Sequence, residues 1–190
     1  NGIDKDCENW KVLTSSIENL IELNAIDATN KITDLQGIED FKSLEKLYCS
    51  KGAITKIDVS KNLKLKTLDL SSNQVATLDL TKNTALESLN CGSNKLTELN
   101  ISNNLTLQNL ISDNNKLTTI NVSKNTVLTR LDVGSNQITT IDITANLALK
   151  ELGVYGNKIT TLNTSKNTAL TSLSAFSNEL TTLDVSQNKA

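Results

Sequence analysis

LKTLDLSSNQVATLDLTKN, running from Leu65 to Asn83, decides the fold, because its frame returns every 21 residues along the 190-residue chain. Asn73 recurs as Asn94, Asn115, Asn136, Asn157 and Asn178; Asn30 precedes the series, with Gly52 in the slot between. Leu44, Leu65, Leu86, Leu107, Leu128, Leu149 and Leu170 keep the same comb. So do Leu47, Leu68, Leu89, Leu110, Leu131, Leu152 and Leu173. Three columns that hold register over so many repeats specify a solenoid, in which each coil touches only its neighbours.

Within one repeat, Leu68 and Leu70 share the parity of a strand's buried face, while Thr67, Asp69 and Ser71 point away. The Asn that follows is expected to turn inward, bonding the peptide groups of its own turn and those of the next coil. A buried polar group left unpaired costs about 1–3 kcal/mol, so a column of Asn needs such partners at every level. A second apolar set, Val75, Leu78 and Leu80, predicts a short extended segment on the opposite side, since a 21-residue coil has no room for a full helix there. Upstream, Trp10, Leu13, Ile17, Leu20 and Ile21 form an amphipathic stripe behind Asp6 and Glu8. That stripe predicts a helical cap over residues 1–22, in front of an array of about eight coils over residues 23–190. Leu180 to Ala190 completes half a coil, which reads as a piece of a longer protein or as a last coil protected by a partner.

The pattern resembles the leucine-rich repeat family, specifically the short bacterial repeats of internalins and of secreted Bacteroidetes proteins. The likeness covers about residues 23–190. It is carried by the three columns, by Cys49 and Cys91 in the third apolar slot of the strand (LYC, LNC), and by ITDLQGIEDFKSLEKL, Ile32 to Leu47, as the opening coil. The resemblance implies a right-handed array with a parallel β-sheet on its concave face. It also implies a non-enzymatic binding module on a secreted or surface-exposed bacterial protein.

The residues present narrow the chemistry. There is no His, which removes Ser–His and Cys–His nucleophiles and histidine metal sites. A net charge of -2, with no basic stripe, gives no electrostatic reason to bind nucleic acid. No apolar run approaches the length that spans a bilayer. Cys49 and Cys91 lie two coils apart with Leu70 between; at roughly 4.7–4.9 Å per coil their Cα atoms exceed the roughly 7 Å limit for a disulfide. They read as core thiols, and Cys7 has no evident partner. The column Asp58, Asp79, Asn100, Asn121, Asp142, Asn163 and Asp184, each followed two residues later by Ser or Thr, reads as repeated turn chemistry rather than a metal or catalytic site. No cofactor is expected.

Function is sought where the array departs from itself, on the outward strand positions. Three of the five aromatic residues, Tyr48, Tyr155 and Phe176, fall there. Tyr155 and Phe176 are neighbours in one column, beside Ile111, Asp113, Arg130, Asp132 and Glu151. Aromatic anchors rimmed by charge are the makeup of a protein–protein hot spot. The expectation is a monomer that binds a protein partner through this face. Glycan recognition and a purely structural spacer are the alternatives.

Overall fold

The computed structural model describes residues 17–26 and 31–190. Among the described residues, eight strands of three residues each run parallel in one sheet, in strict sequence order: β1 (Glu22–Asn24), β2 (Lys46–Tyr48), β3 (Thr67–Asp69), β4 (Ser88–Asn90), β5 (Asn109–Ile111), β6 (Arg130–Asp132), β7 (Glu151–Gly153) and β8 (Ser172–Ser174). The leucine comb is the pairing register itself: Leu47 lies beside Leu68, Leu68 beside Leu89, and so on to Leu173. The first coil breaks the period. Leu23 pairs with Leu47, 24 residues on, and the extra length holds a 3-10 turn at Ile38–Asp40.

Burial follows the columns. Leu44, Leu65, Leu86, Leu107, Leu128 and Leu149 are fully buried, as are Leu47, Leu68, Leu110 and Leu131. Cys49, Leu70, Cys91, Val133 and Val154 extend the core along the third slot, and both cysteines are free thiols. The last coil has one neighbour only, so Leu173, Ala175 and Leu180 are partly buried.

The predicted Asn ladder is present from Asn73 to Asn178, but it reaches backward. Asn136 Nδ2 donates to Val133 O and Gly134 O in its own turn and to Ser112 O in the preceding coil, while its Oδ1 accepts the Leu117 N–H of that same preceding coil. Asn73, Asn94, Asn115, Asn157 and Asn178 repeat the arrangement. The expectation of bonds to the following coil is therefore corrected in direction, and Asn30 lies outside the described residues. The turn that delivers each ladder Asn needs a left-handed residue just before it. Lys51, Ser72, Ser93, Asn114, Ser135 and Ser177 sit at φ between 50° and 61°, and Gly156 alone in this column is a glycine.

A second ladder runs along the opposite side. Asn62, Asn83, Asn104, Asn125, Asn146 and Asn167 are completely buried, and each donates Nδ2 to two carbonyls of the preceding coil, as Asn146 does to Val122 O and Asn125 O. Their Oδ1 atoms have no partner. At Asn188, by contrast, the Thr164 hydroxyl donates to Oδ1 at 2.8 Å. The opposite side is not a second sheet. One backbone bond per coil crosses it, such as Gln137 N–H to Leu117 O, and the chain then closes through paired tight turns such as Ile143–Asn146 and Asn146–Leu149.

The amino-terminal expectation needs correction where it can be seen. Most of the cap predicted over residues 1–22, including Trp10, Leu13 and Cys7, lies outside the described residues; among the described residues no helical cap is seen, Ile17 alone having helical backbone before a turn in which the Leu20 N–H donates to Ile17 O at 3.0 Å. Ile17 is buried and Leu20 packs on the core, but Ile21 is 55% exposed and Glu22 already belongs to β1. The register with β2 puts Ile21 one step ahead of the strand, in the column of Glu45 and Lys66, and Leu20 in the column of Leu44.

Candidate functional site on the strand face

Because strand residues alternate and coils stack in register, every outward side chain stands beside its counterparts in the coils before and after. Tyr155 and Phe176 meet in this way. Their rings stack with centroids 5.2 Å apart and planes 12° from parallel, and Phe176 remains 66% exposed. Tyr155 leans toward the preceding coil and lies over Gly134, where an added Cβ would come within 2.3 Å of the ring. Gly134 is thus the floor on which the ring rests.

Asp132 is seated in the same manner over Gly153, whose Cβ would approach the carboxylate to 2.8 Å, and its Oδ1 accepts the Gly134 N–H at 3.1 Å. Asp113 leans over Gly92. Burial, and then the charge of Asp132, push the Asp113 carboxyl above the ordinary aspartate range. Burial followed by the charges of Asp132 and Asp113 raises the Tyr155 phenol.

The neighbouring charges behave differently. Arg130 pairs with Glu151 at 3.5 Å, in register across β6 and β7. Ile111 is half-buried in the column of Asp132, one coil earlier. Tyr48 lies in β2, five strands before Gly153 of β7 in the same column, which at roughly 4.8 Å per strand is too far to join the cluster. Of the expected residues, then, Tyr155 and Phe176 come together, Asp113 and Asp132 lean over the preceding and the following coil respectively, Arg130 and Glu151 form a self-paired rim, and Tyr48 stands apart. Gly92, Gly134 and Gly153 went unassigned in the sequence reading. Their signal was glycine in outward strand columns, where a side chain is otherwise free to vary.

The other candidates resolve as structure. Asp58, Asp79 and Asp184 each accept the backbone N–H two residues on, which lowers their carboxyls; Asp142 is lowered first by the Thr144 hydroxyl and then by the Thr144 N–H, and Asn100, Asn121 and Asn163 make the same backbone bond. Burial pushes the Cys49 and Cys91 thiols up to about 12. Among the described residues no His, Cys, Asp and Glu group is arranged to hold a metal ion, and no helix is long and apolar enough to cross a membrane.

No family model and no curated protein sequence matches the chain. Solved structures do. The functional domain of InlJ from Listeria monocytogenes, described as including a cysteine ladder, is 41% identical over 92% of this chain, with a TM-score of 0.89. A Leptospira interrogans leucine-rich repeat protein is 27% identical over 88% with a TM-score of 0.80, and an internalin from Listeria monocytogenes is 28% identical over 84% with a TM-score of 0.76. This chain spans 39%, 46% and 48% of those three chains respectively. In this chain the third slot holds cysteine at Cys49 and Cys91, with Leu70 between them and Ser112 and Val133 after them. With its 21-residue period, its single parallel sheet and this degree of identity, the chain is a bacterial leucine-rich repeat protein of the internalin-like type.

Proposed function

We propose that this domain is a non-enzymatic binding module of a secreted or surface-exposed bacterial protein, and that it engages a protein partner through the strand face around Tyr155 and Phe176. The observation that carries the reading is the stacked ring pair, with Phe176 two-thirds exposed in a chain that has only five aromatic residues. An exposed aromatic pair is a standing cost in water that a partner's surface relieves, and hot-spot truncations of such anchors cost about 2 kcal/mol or more. The rest of the face supports the reading, since Arg130 and Glu151 supply a polar rim.

The test is capture of surface proteins of the source organism on the immobilised domain, followed by affinity measurement with Tyr155→Ala/Phe176→Ala. Both side chains point outward, so the double variant keeps the fold and loses the partner. Equal changes at Thr67 and Ser88, on the same face, leave binding intact. Unchanged affinity in the double variant moves the site elsewhere, first to Tyr48. A glycan array run beside the capture decides between a protein partner and carbohydrate recognition.

A further inference from the structure

Apart from Phe176 and the residues of the first and last coils, the exposed large apolar side chains among the described residues are Leu63, Leu105, Val127 and Leu147. Each follows a buried Asn of the second ladder by one or two positions, so all four lie on one flank of the solenoid. The three leucines, 55–60% exposed, alternate with Thr84, Thr126 and Thr168 in a single column. Read along the coils the column is large, small, large, small, large, small, an order that is its own complement when reversed. A two-fold axis midway between the coils of Leu105 and Thr126 sets Leu63 opposite Thr168 of a second copy, Thr84 opposite Leu147, and Leu105 opposite Thr126. Every leucine then meets a threonine. The columns on the strand side of this one agree with it. In the same arrangement Ala85 faces Ala148, Val127 faces Thr106, and Glu87 faces Lys150, the last pair occurring twice by symmetry. Glu87 and Lys150 are exposed, and among the described residues neither makes an ion pair. Like charges oppose each other at Lys61 and Lys166, in the outermost coils of the face, where long side chains can turn their ammonium groups to water.

We propose that this flank docks a second copy of the chain, in an antiparallel two-fold dimer closed by interdigitated leucine and threonine and by the Glu87–Lys150 pair. The alternation fixes the orientation, because a parallel arrangement stacks leucine on leucine and leaves gaps between the threonines. The charges fix it independently, since only the reversed order brings Glu87 to Lys150 across the same axis. Size sets the strength. Five coil steps at roughly 4.8 Å make a strip about 24 Å long. One or two side chains wide, it covers about half of the roughly 800 Å² per partner that a stable interface buries. The dimer is therefore weak: dilute chain is the monomer expected from the sequence, and association grows with local concentration, as for copies held close together on one surface. Tyr155 and Phe176 belong to the strand face and not to this flank, so the inference stands apart from the strand-face reading.

The test is sedimentation equilibrium of the whole folded chain from about 10 μM to about 1 mM, the range in which an interface below standard size associates. The apparent mass is expected to rise toward that of a dimer. Leu63→Thr/Leu105→Thr/Leu147→Thr changes exposed side chains, so it keeps the circular dichroism spectrum and raises the dimer dissociation constant at least about tenfold. Glu87→Lys weakens association, because it sets like charges against each other twice. Glu87→Lys/Lys150→Glu restores it, because the two-fold axis places each exchanged charge against its complement, and added salt weakens the original and the exchanged dimer alike. Tyr155→Ala/Phe176→Ala leaves association unchanged. A mass that stays monomeric to about 1 mM overturns the proposal. So does association that survives the triple variant, or a charge exchange that fails to restore what Glu87→Lys removed. If Tyr155→Ala/Phe176→Ala abolishes association instead, the copies meet through the strand face and the dimer on this flank is refuted.

Discussion

The two asparagine ladders make opposite claims on stability, and Asn136→Ala set against Asn146→Ala separates them. Burial alone ranks Asn146 higher, for it is completely buried while Asn136 is 8% exposed. Hydrogen bonding ranks them the other way. Removing the Asn136 amide orphans the buried Leu117 N–H, whose partner is Asn136 Oδ1 at 2.9 Å, at a cost of about 1–3 kcal/mol. It also removes donors to Ser112 O, Val133 O and Gly134 O, and the two available hydrogens are worth about 0.5–1.5 kcal/mol each. The sum is about 2–6 kcal/mol. Asn146→Ala loses two donor bonds, but Val122 O and Asn125 O keep the backbone N–H groups of Asn125 and Leu128, so nothing is orphaned. The unpaired Asn146 Oδ1 disappears with the side chain, and that relief leaves a net cost of about 1–2 kcal/mol. Urea unfolding followed by circular dichroism measures both costs. Because a repeat array unfolds in parts, hydrogen exchange at Leu117 locates the effect: its protection should collapse in Asn136→Ala and persist in Asn146→Ala. An Asn146→Ala loss equal to or greater than that of Asn136→Ala refutes the reasoning.

Four other outcomes follow from the same geometry. Ser112 Oγ is buried without a partner in a slot filled by Val133 and Val154 in the next coils, so Ser112→Val should raise stability by about 1–2 kcal/mol; a lowered urea midpoint would contradict this. Val122→Thr should be nearly neutral, because a hydroxyl there reaches Asn146 Oδ1 as Thr164 reaches Asn188, whereas Val154→Thr buries an unmatched hydroxyl and costs about 1–3 kcal/mol; equal midpoints would show that the Asn146 oxygen accepts nothing. Cys49 and Cys91, with thiols pushed up to about 12, should resist iodoacetamide in the folded protein and react after denaturation, and label on either before unfolding would put the third slot in the wrong register. The Asp113 carboxyl is raised on folding, so its charged form penalises the native state above its folded pKa and neither state is charged below the ordinary aspartate value. Asp113→Asn should therefore raise the thermal midpoint at neutral pH, with the gain vanishing in strong acid; a gain that persists there would show that the effect is not electrostatic.

The register was legible because leucine at a fixed period is both the sequence signal and the physical pairing: Leu68 beside Leu89 is one fact seen twice. The first coil was not, because its 24 residues break the comb and the turn at Ile38–Asp40 has no repeat to be compared with. The ladder's existence could be read from Asn73 to Asn178, but its direction could not. Whether Asn136 reaches Leu117 or the following coil depends on how the turn at Ser135 aims the side chain, which the φ of 50° decides. The stacking of Tyr155 and Phe176 followed from column adjacency. The seat beneath the ring did not, for it depends on Tyr155 leaning toward Gly134 rather than away from it.

The backward reach of the ladder gives the array a temporal order. As the chain leaves the ribosome, a coil such as that around Leu117 emerges with its own amide group still open. It is closed only when Asn136 arrives about one coil later. Every newly made coil is thus provisional until its successor is translated, and the growing end carries one unfinished level at all times. A pause in synthesis at any point strands a single incomplete coil above a finished stack, which confines the exposed, association-prone surface of the nascent protein to its last turn.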